Sequence, residues 1–234
     1  MPTQPVCLVT GVGPGTGSAI VRRFAAEGYR VAMLARSAGR LAALAAEVPG
    51  AVGFECDVTD TTALSHAVAS INATFGPPST VIHNAVGGAF GDFLSIDPAV
   101  LERNFQVNVM ALLHLARLTT PAMIAAGAGV LIATGNTSAY RGKANFAGFA
   151  PSKAAQRILL ESIARQVGPQ GIHAAYVAID AVIDVPWARE RMPDKPDDFF
   201  CKPTDIADEI FRIAQQPRSA WSFSVEIRPS GESW

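Results

Sequence analysis

Thr10-Gly11-Val12-Gly13-Pro14-Gly15-Thr16-Gly17 decides how this chain folds. A short β-branched run, Val6 to Thr10, leads into it, and apolar residues at helical spacing, Ala19, Ile20, Phe24 and Ala25, follow it. A strand, a glycine-rich turn and a helix in that order form the first half of a βαβ unit. Glycine lets backbone bend sharply and approach a bound group with no Cβ in the way. The free N–H groups and positive end of the helix starting near Gly15 would then face an anion. In this context Gly11, Gly13, Gly15 and Gly17 read as a dinucleotide-binding turn, the structural alternative being a tight turn alone.

Outward from the turn, strand-like runs alternate with helical ones. Val6–Thr10, Arg30–Ala35, 51–56, 80–84, 130–134, Ile172–Ile179 and 223–228 read as strands, most of them apolar on consecutive positions. Strands covered on both faces have that character. Long helices are expected at 100–126 and 152–167, and a last one at 205–215 with Thr204 as its N-cap. The pattern predicts an α/β fold, a Rossmann-type doubly wound parallel sheet of about seven strands with helices on both faces in three layers. The 234 residues fit one domain, 1–234, and the proline-rich stretch 186–203 is expected to be a substrate lid.

Composition narrows the function. Nearly half the residues are apolar and the net charge is −1, so neither a nucleic acid nor an anionic membrane is an expected partner. The longest apolar runs break before transmembrane length, and Met1-Pro2-Thr3-Gln4-Pro5 lacks a signal-peptide start, so a cytoplasmic protein is expected. Cys7, Cys56 and Cys201 form no C-x-x-C pair and read as small core residues in a reducing compartment. His66, His83, His114 and His173 show no metal-ligand spacing, so no metal site is expected.

The second strand ends Leu34-Ala35-Arg36-Ser37, with no acid to accept bonds from a ribose 2′-hydroxyl. Arg36 can instead pair with a 2′-phosphate, which favours NADP(H) over NAD(H). Asp57, after the third strand, is placed to meet the adenine amino group or to cap a turn.

Together these residues resemble the short-chain dehydrogenase/reductase family over essentially the whole chain. Its TGxxxGxG matches at Thr10, Gly11, Gly15 and Gly17, and its aspartate at Asp57. Its N-A-G appears as Asn84-Ala85-Val86, and its mid-helix asparagine falls at Asn108. Its Y-x-x-x-K appears as Phe149-Ala150-Pro151-Ser152-Lys153, and the serine thirteen residues before the tyrosine falls at Asn136. Its P-G after the sixth strand becomes Ile179-Asp180, and its nicotinamide-facing threonine becomes Asp184. The resemblance implies a tyrosine acid, a lysine that lowers its pKa and holds the ribose, a serine on the substrate carbonyl and an asparagine in a proton relay. Lys153 and Asn108 remain from that set, while Phe149 has no proton to give. Tyr140 is the candidate substitute donor, with Ser138 second, and Asn136 can polarise a carbonyl through its amide. Asp184 is a candidate ligand for the nicotinamide carboxamide, or a turn cap, or, facing a substrate, a partner for a cationic iminium-type acceptor. Trp187, Phe199 and Phe200 could line an apolar pocket from the lid or serve as packing within it.

The resemblance also implies a homodimer or homotetramer packed through the two long helices, and a small-molecule substrate. Three functions follow: an NADP(H)-dependent oxidoreductase with an altered acid–base set, a catalytically degenerate nucleotide-binding protein, or an enzyme using the pocket for non-redox chemistry.

Overall fold

The computed structural model describes residues 4–231; Met1, Pro2 and Thr3 of the N-terminal stretch lie outside the described residues. The strands are β1 (Val6–Thr10), β2 (Arg30–Ala35), β3 (Ala51–Glu55), β4 (Thr80–His83), β5 (Gly129–Gly135), β6 (Ile172–Ile179), β7 (Val182–Ile183), β8 (Phe200–Cys201) and β9 (Ser224–Ile227). The helices are α1 (Thr16–Ala26), α2 (Ala38–Glu47), α3 (Thr61–Phe75), α4 (Pro98–Phe105), α5 (Ala111–Ala126), α6 (Ala150–Val167), α7 (Pro186–Arg191) and α8 (Pro203–Ala214). Seven strands form one sheet in the order β3-β2-β1-β4-β5-β6-β9, with every neighbour parallel. The doubly wound three-layer fold expected from the sequence is therefore the fold observed.

Alternate residues of the same strands feed two cores. On one face Val9, Met33 and Val177 pack with Ile20 and Phe24 of α1, Leu41 of α2 and Ile210 of α8. On the other, Leu8, Leu34 and Leu131 pack with Leu64 and Ile71 of α3, Leu112 and Leu115 of α5 and Leu160 of α6. The central strands β1, β4 and β6 are buried along their whole length, whereas the edge strands β3 and β9 mix exposed and covered residues. A parallel sheet covered by helices requires that difference.

Three sequence expectations change. The helix expected at 100–126 runs from Pro98 to Ala126, but Gln106–Met110 is a π-type turn that widens the backbone between α4 and α5. Among the described residues this is the one helix long and apolar enough to cross a membrane, which the broken apolar runs had not suggested. In the fold it packs Leu112, Leu115 and Met123 against the sheet face and carries hydrogen-bonded Asn104 and Asn108. Thr204 is not the cap of α8: Lys202 holds that position, Pro203 is the first helical residue, and the Thr204 hydroxyl donates to Asp205. Proline's fixed φ suits the first helical position, where its missing N–H costs nothing. The proline-rich stretch 186–203, which shows little periodic patterning in the sequence, holds regular structure, α7 and β8, and β8 pairs in parallel with β7.

Candidate functional site

Strand order reverses between β1 and β4, so the chain diverges to opposite faces at their C-terminal ends and leaves a crevice there. A cleft of about 1060 Å³ opens at that point. Its lining runs from Arg36 and Arg40 at one end, past Gly13, Gly15 and Thr16, to Asn136, Phe149 and Lys153 at the other.

The glycine turn explains the near wall. Gly11 has φ +67°, and a Cβ there would lie 2.5 Å from the Ala85 backbone. The turn after β1 thus presses directly on the loop after β4. A Cβ at Gly17 would meet the Gly11 carbonyl at 2.6 Å, so α1 starts hard against β1. At Gly13 a Cβ would meet nothing within 4 Å, because that residue faces the open cleft. Thr16 Oγ1, at the start of α1, is buried without a hydrogen-bond partner although its residue lines the cleft. A buried hydroxyl with no partner beside open amide groups suits an anionic ligand such as a pyrophosphate.

At the far end of that wall the Ser37 hydroxyl caps α2 by accepting from the Arg40 N–H. Capping brings the Arg40 side chain to the cleft beside Arg36. Arg40 was not singled out in the sequence; its signal was the i, i+4 spacing from Arg36 across a serine cap. Asp57 accepts from both the backbone N–H and hydroxyl of Thr59. Those bonds, and more weakly the Arg36 charge, hold its carboxyl below the usual carboxylate range. It therefore lines the cleft as a fixed anion and turn former together.

Asn84 is a staple. Its Nδ2 donates to the Gly11 carbonyl at 3.0 Å and its Oδ1 accepts from Thr134 at 3.0 Å, tying the ends of β1, β4 and β5 together. Asn108 is another. From the π-type turn its Oδ1 accepts from the Gly87 N–H at 3.0 Å, and its Nδ2 donates to the Gly87 carbonyl and the Ser152 hydroxyl. Behind them lies fully buried His83, which burial and the neighbouring Lys153 charge push down to about 3. As a neutral imidazole it can donate from Nε2 to the Val107 carbonyl at 3.1 Å while Nδ1 accepts from Thr10. Asn104, which sequence reasoning missed, donates to the Gly148 carbonyl from the same helix.

At the deep end Lys153 is 2% exposed. Its Nζ donates to the Thr134 carbonyl at 3.3 Å and to Gln156 Oε1 at 3.0 Å, and lies 5.9 Å from the Phe149 ring centre. Burial alone brings its pKa down from 10.5 to about 7. A charged amine is disfavoured away from water, and no carboxylate here offsets that cost. Gln156, on the next turn of α6, was another residue the sequence reading passed over. Phe149 caps the start of α6, and its ring lies so close to Gly88 that a Cβ there would sit 2.9 Å from it. Asn136 lines the cleft, with its Oδ1 accepting from the Ser138 N–H.

Three expected members of this group, Tyr140, Ser138 and Asp184, lie elsewhere. The Tyr140 hydroxyl shares a 2.7 Å hydrogen bond with Ser224, and Tyr140 and Ser138 line a separate recess rather than the main cleft. Asp184 is gripped by Arg189 through two hydrogen bonds of 2.7 and 2.8 Å and is absent from the cleft lining. That bidentate pair uses both carboxylate oxygens and removes the basis for placing a cationic acceptor there. Phe200 is buried with Val185 and Ala188 and Phe199 packs edge-on against it, so both hold the segment 186–203 together. Trp187 is exposed beside Arg191.

A parallel doubly wound sheet with a glycine turn at its switch point, two arginines and a buried lysine defines a nucleotide-binding α/β domain. The chain matches the short chain dehydrogenase family over residues 5–195 and belongs to it. It is 31% identical over 166 residues to D-erythrulose reductase of Gallus gallus, which covers 70% of this chain and 66% of that protein's length. It is 26% identical over 231 residues to carbonyl reductase (NADPH) 2 of Sus scrofa, covering 94% and 93%. A metagenomic short-chain oxidoreductase solved in complex with NADP superposes with a TM-score of 0.85 at 27% identity, over 98% of this chain and 99% of that one.

Proposed function

We propose that this chain is an NADP(H)-dependent oxidoreductase of the short-chain dehydrogenase type, acting on a small carbonyl compound with an acid–base set that lacks the tyrosine hydroxyl. The observation that carries this reading is one cleft bounded by Arg36 and Arg40 at one end and by buried Lys153 at the other. The names of the porcine NADPH reductase and the NADP-complexed oxidoreductase support it. Bound NADPH would supply the hydride.

The chain's own residues fill the remaining roles. Arg36 and Arg40 hold the 2′-phosphate, two cations where a single one would leave NADP(H) and NAD(H) less well separated. The backbone at Gly13 and Gly15 and the Thr16 hydroxyl receive the pyrophosphate, and Asp57 meets the adenine amino group. Asn84 and Asn108 act on the cofactor indirectly, by fixing the loops around it. Asn136 orients the substrate oxygen through its amide N–H. Lys153 Nζ holds the ribose and, beside a Phe149 ring with no proton to give, is the group from which the proton for the nascent alkoxide starts. The segment 186–203 closes over the substrate as a lid. Three free cysteines, all buried, suit a cytoplasmic protein.

A second reading, a nucleotide-binding protein without catalysis, draws on Phe149 lying flush on Gly88 and Tyr140 turned away to Ser224. Binding isotherms with NADPH and NADH test the first step common to both. NADPH is expected to bind below millimolar concentration and more tightly than NADH, with the preference erased in an Arg36→Ala/Arg40→Ala variant. Absence of binding by either nucleotide would overturn both readings.

A further inference from the structure

The loop after β4 carries a group of large apolar side chains that the fold does not bury. Val86 is 62% exposed, Phe90 73%, Phe93 78% and Leu94 83%. Soluble chains scatter single exposed apolar residues, but a contiguous set within ten residues marks a binding surface. The exposure is not that of a loose loop. Gly91 forms a parallel bridge with Phe146, donating to the Asn145 carbonyl and accepting from the Ala147 N–H. Asp92 accepts from the backbone N–H groups of Leu94 and Ser95 and fixes the tip.

This loop is also continuous with the cleft. Val86, Gly87 and Gly88 line it, and the Phe149 ring rests on Gly88. From there a row of aromatic rings leads outward. Phe149 and Phe90 meet edge-to-face with centres 6.1 Å apart, and Phe90 and Phe146 meet edge-to-face at 5.1 Å. Edge-to-face rings form a wall that can accept a further ring in the same geometry. A tyrosine at 149 would put a hydroxyl at the inner end of that row, where phenylalanine leaves it apolar.

We propose that Phe149, Phe90 and Val86 form an apolar subsite for an aryl group on the substrate, so that this chain acts on aryl ketones or aldehydes rather than on small polyhydroxylated ones. The proposal rests on the functional reading above and names the substrate class for that site. The wall offers no side-chain hydrogen-bond donor or acceptor, and a sugar-like carbonyl compound would lose hydration there without replacement. An aryl group instead removes exposed rings from water on both sides.

Titration calorimetry of the full chain saturated with NADP tests this without turnover, using 2-acetylnaphthalene and erythrulose as probes. The naphthyl ketone is expected to bind at least about tenfold more tightly than erythrulose, and Phe90→Ser to weaken it about tenfold while leaving NADP affinity unchanged. Phe90 is exposed, so its replacement spares the core. Equal affinity for both probes, or unaltered naphthyl-ketone binding by Phe90→Ser, overturns the proposal. So does a change in oligomeric mass on Phe90→Ser with ketone binding intact, which would make the patch a contact between chains. If NADP itself fails to bind, the underlying functional reading falls instead.

Discussion

At position 149 a single missing oxygen separates two functions. Acid–base groups in place typically contribute ~10²–10⁴ in rate, and a phenyl ring at this position contributes none of it. On the proposed reading Phe149→Tyr should raise steady-state reduction of a simple aryl ketone by ~10²-fold, since Lys153 is already within reach of the ring. No increase would favour the binding protein without catalysis. Lys153 makes a second prediction, through linkage. Its folded pKa is about 7 against an ordinary 10.5, so between those values the unfolded chain holds a proton that the folded chain lacks. Stability therefore rises with pH across that window, and below about pH 7 the folded state carries the full cost of a buried ammonium. Lys153→Met should raise the melting temperature at pH 6 by a few degrees, roughly 1 kcal/mol, and by less at pH 10. The same variant should bind NADPH more weakly, and wild-type affinity should fall as pH rises through about 7, because the ribose hydroxyl oxygens accept more strongly from the protonated amine. A variant that melts lower at pH 6 would show that the Thr134 and Gln156 hydrogen bonds outweigh desolvation. Phe149 and Lys153 were legible because the motif fixes their spacing on one helix face. Asp184 was misread because its partner, Arg189, lies in a segment whose helix the proline pattern concealed.

Among the elements, the join between α4 and α5 carries the least legible feature. A π-type turn has no periodic signature, so the apolar spacing reads as one uninterrupted helix. The insertion matters because it presents Asn108 to Gly87 and the Val107 carbonyl to His83, coupling the helix to the loop after β4. Asparagine is a poor mid-helix residue, which made Asn108 visible as a site, but its three bonds serve the scaffold. Asn108→Ala should leave the Gly87 amide and carbonyl short of partners and cost about 2–3 kcal/mol in denaturant unfolding. NADPH binding should weaken with it as the loop loosens. A loss below about 0.5 kcal/mol would mean that water replaces the amide fully. The glycine turn, by contrast, was readable down to single residues, because Gly11 and Gly17 are required by backbone contacts that any side chain would block.

Across the whole molecule, the parallel seven-stranded sheet with helices on both faces was legible from the alternation of strands and helices plus the handedness of parallel crossovers, while the strand order was not read from the sequence. The substrate end could not be read that way, since its wall is made by loop residues such as Phe90 whose neighbours are remote in sequence. Assembly lies between these cases. In α6, Leu160, Gln156 and Ser152 face inward, yet Ile158 is 59% exposed on the opposite side, and Ile124 of α5 is 37% exposed. A helix that is apolar beyond the face its own fold uses needs a second surface to cover it. We therefore expect the family's mode of assembly, a homodimer or homotetramer packed through the long helices. A carboxylate at 158 would be desolvated in such an interface with no cation assigned to it, a cost several times that of losing the isoleucine contacts. Ile158→Glu should then lower the mass seen by sedimentation velocity towards that of one 24.5 kDa chain, while far-UV circular dichroism stays unchanged because the position is exposed within the chain. An unaltered mass above one chain would move the contact to another face. A single-chain mass for the wild type would end the expectation of assembly altogether.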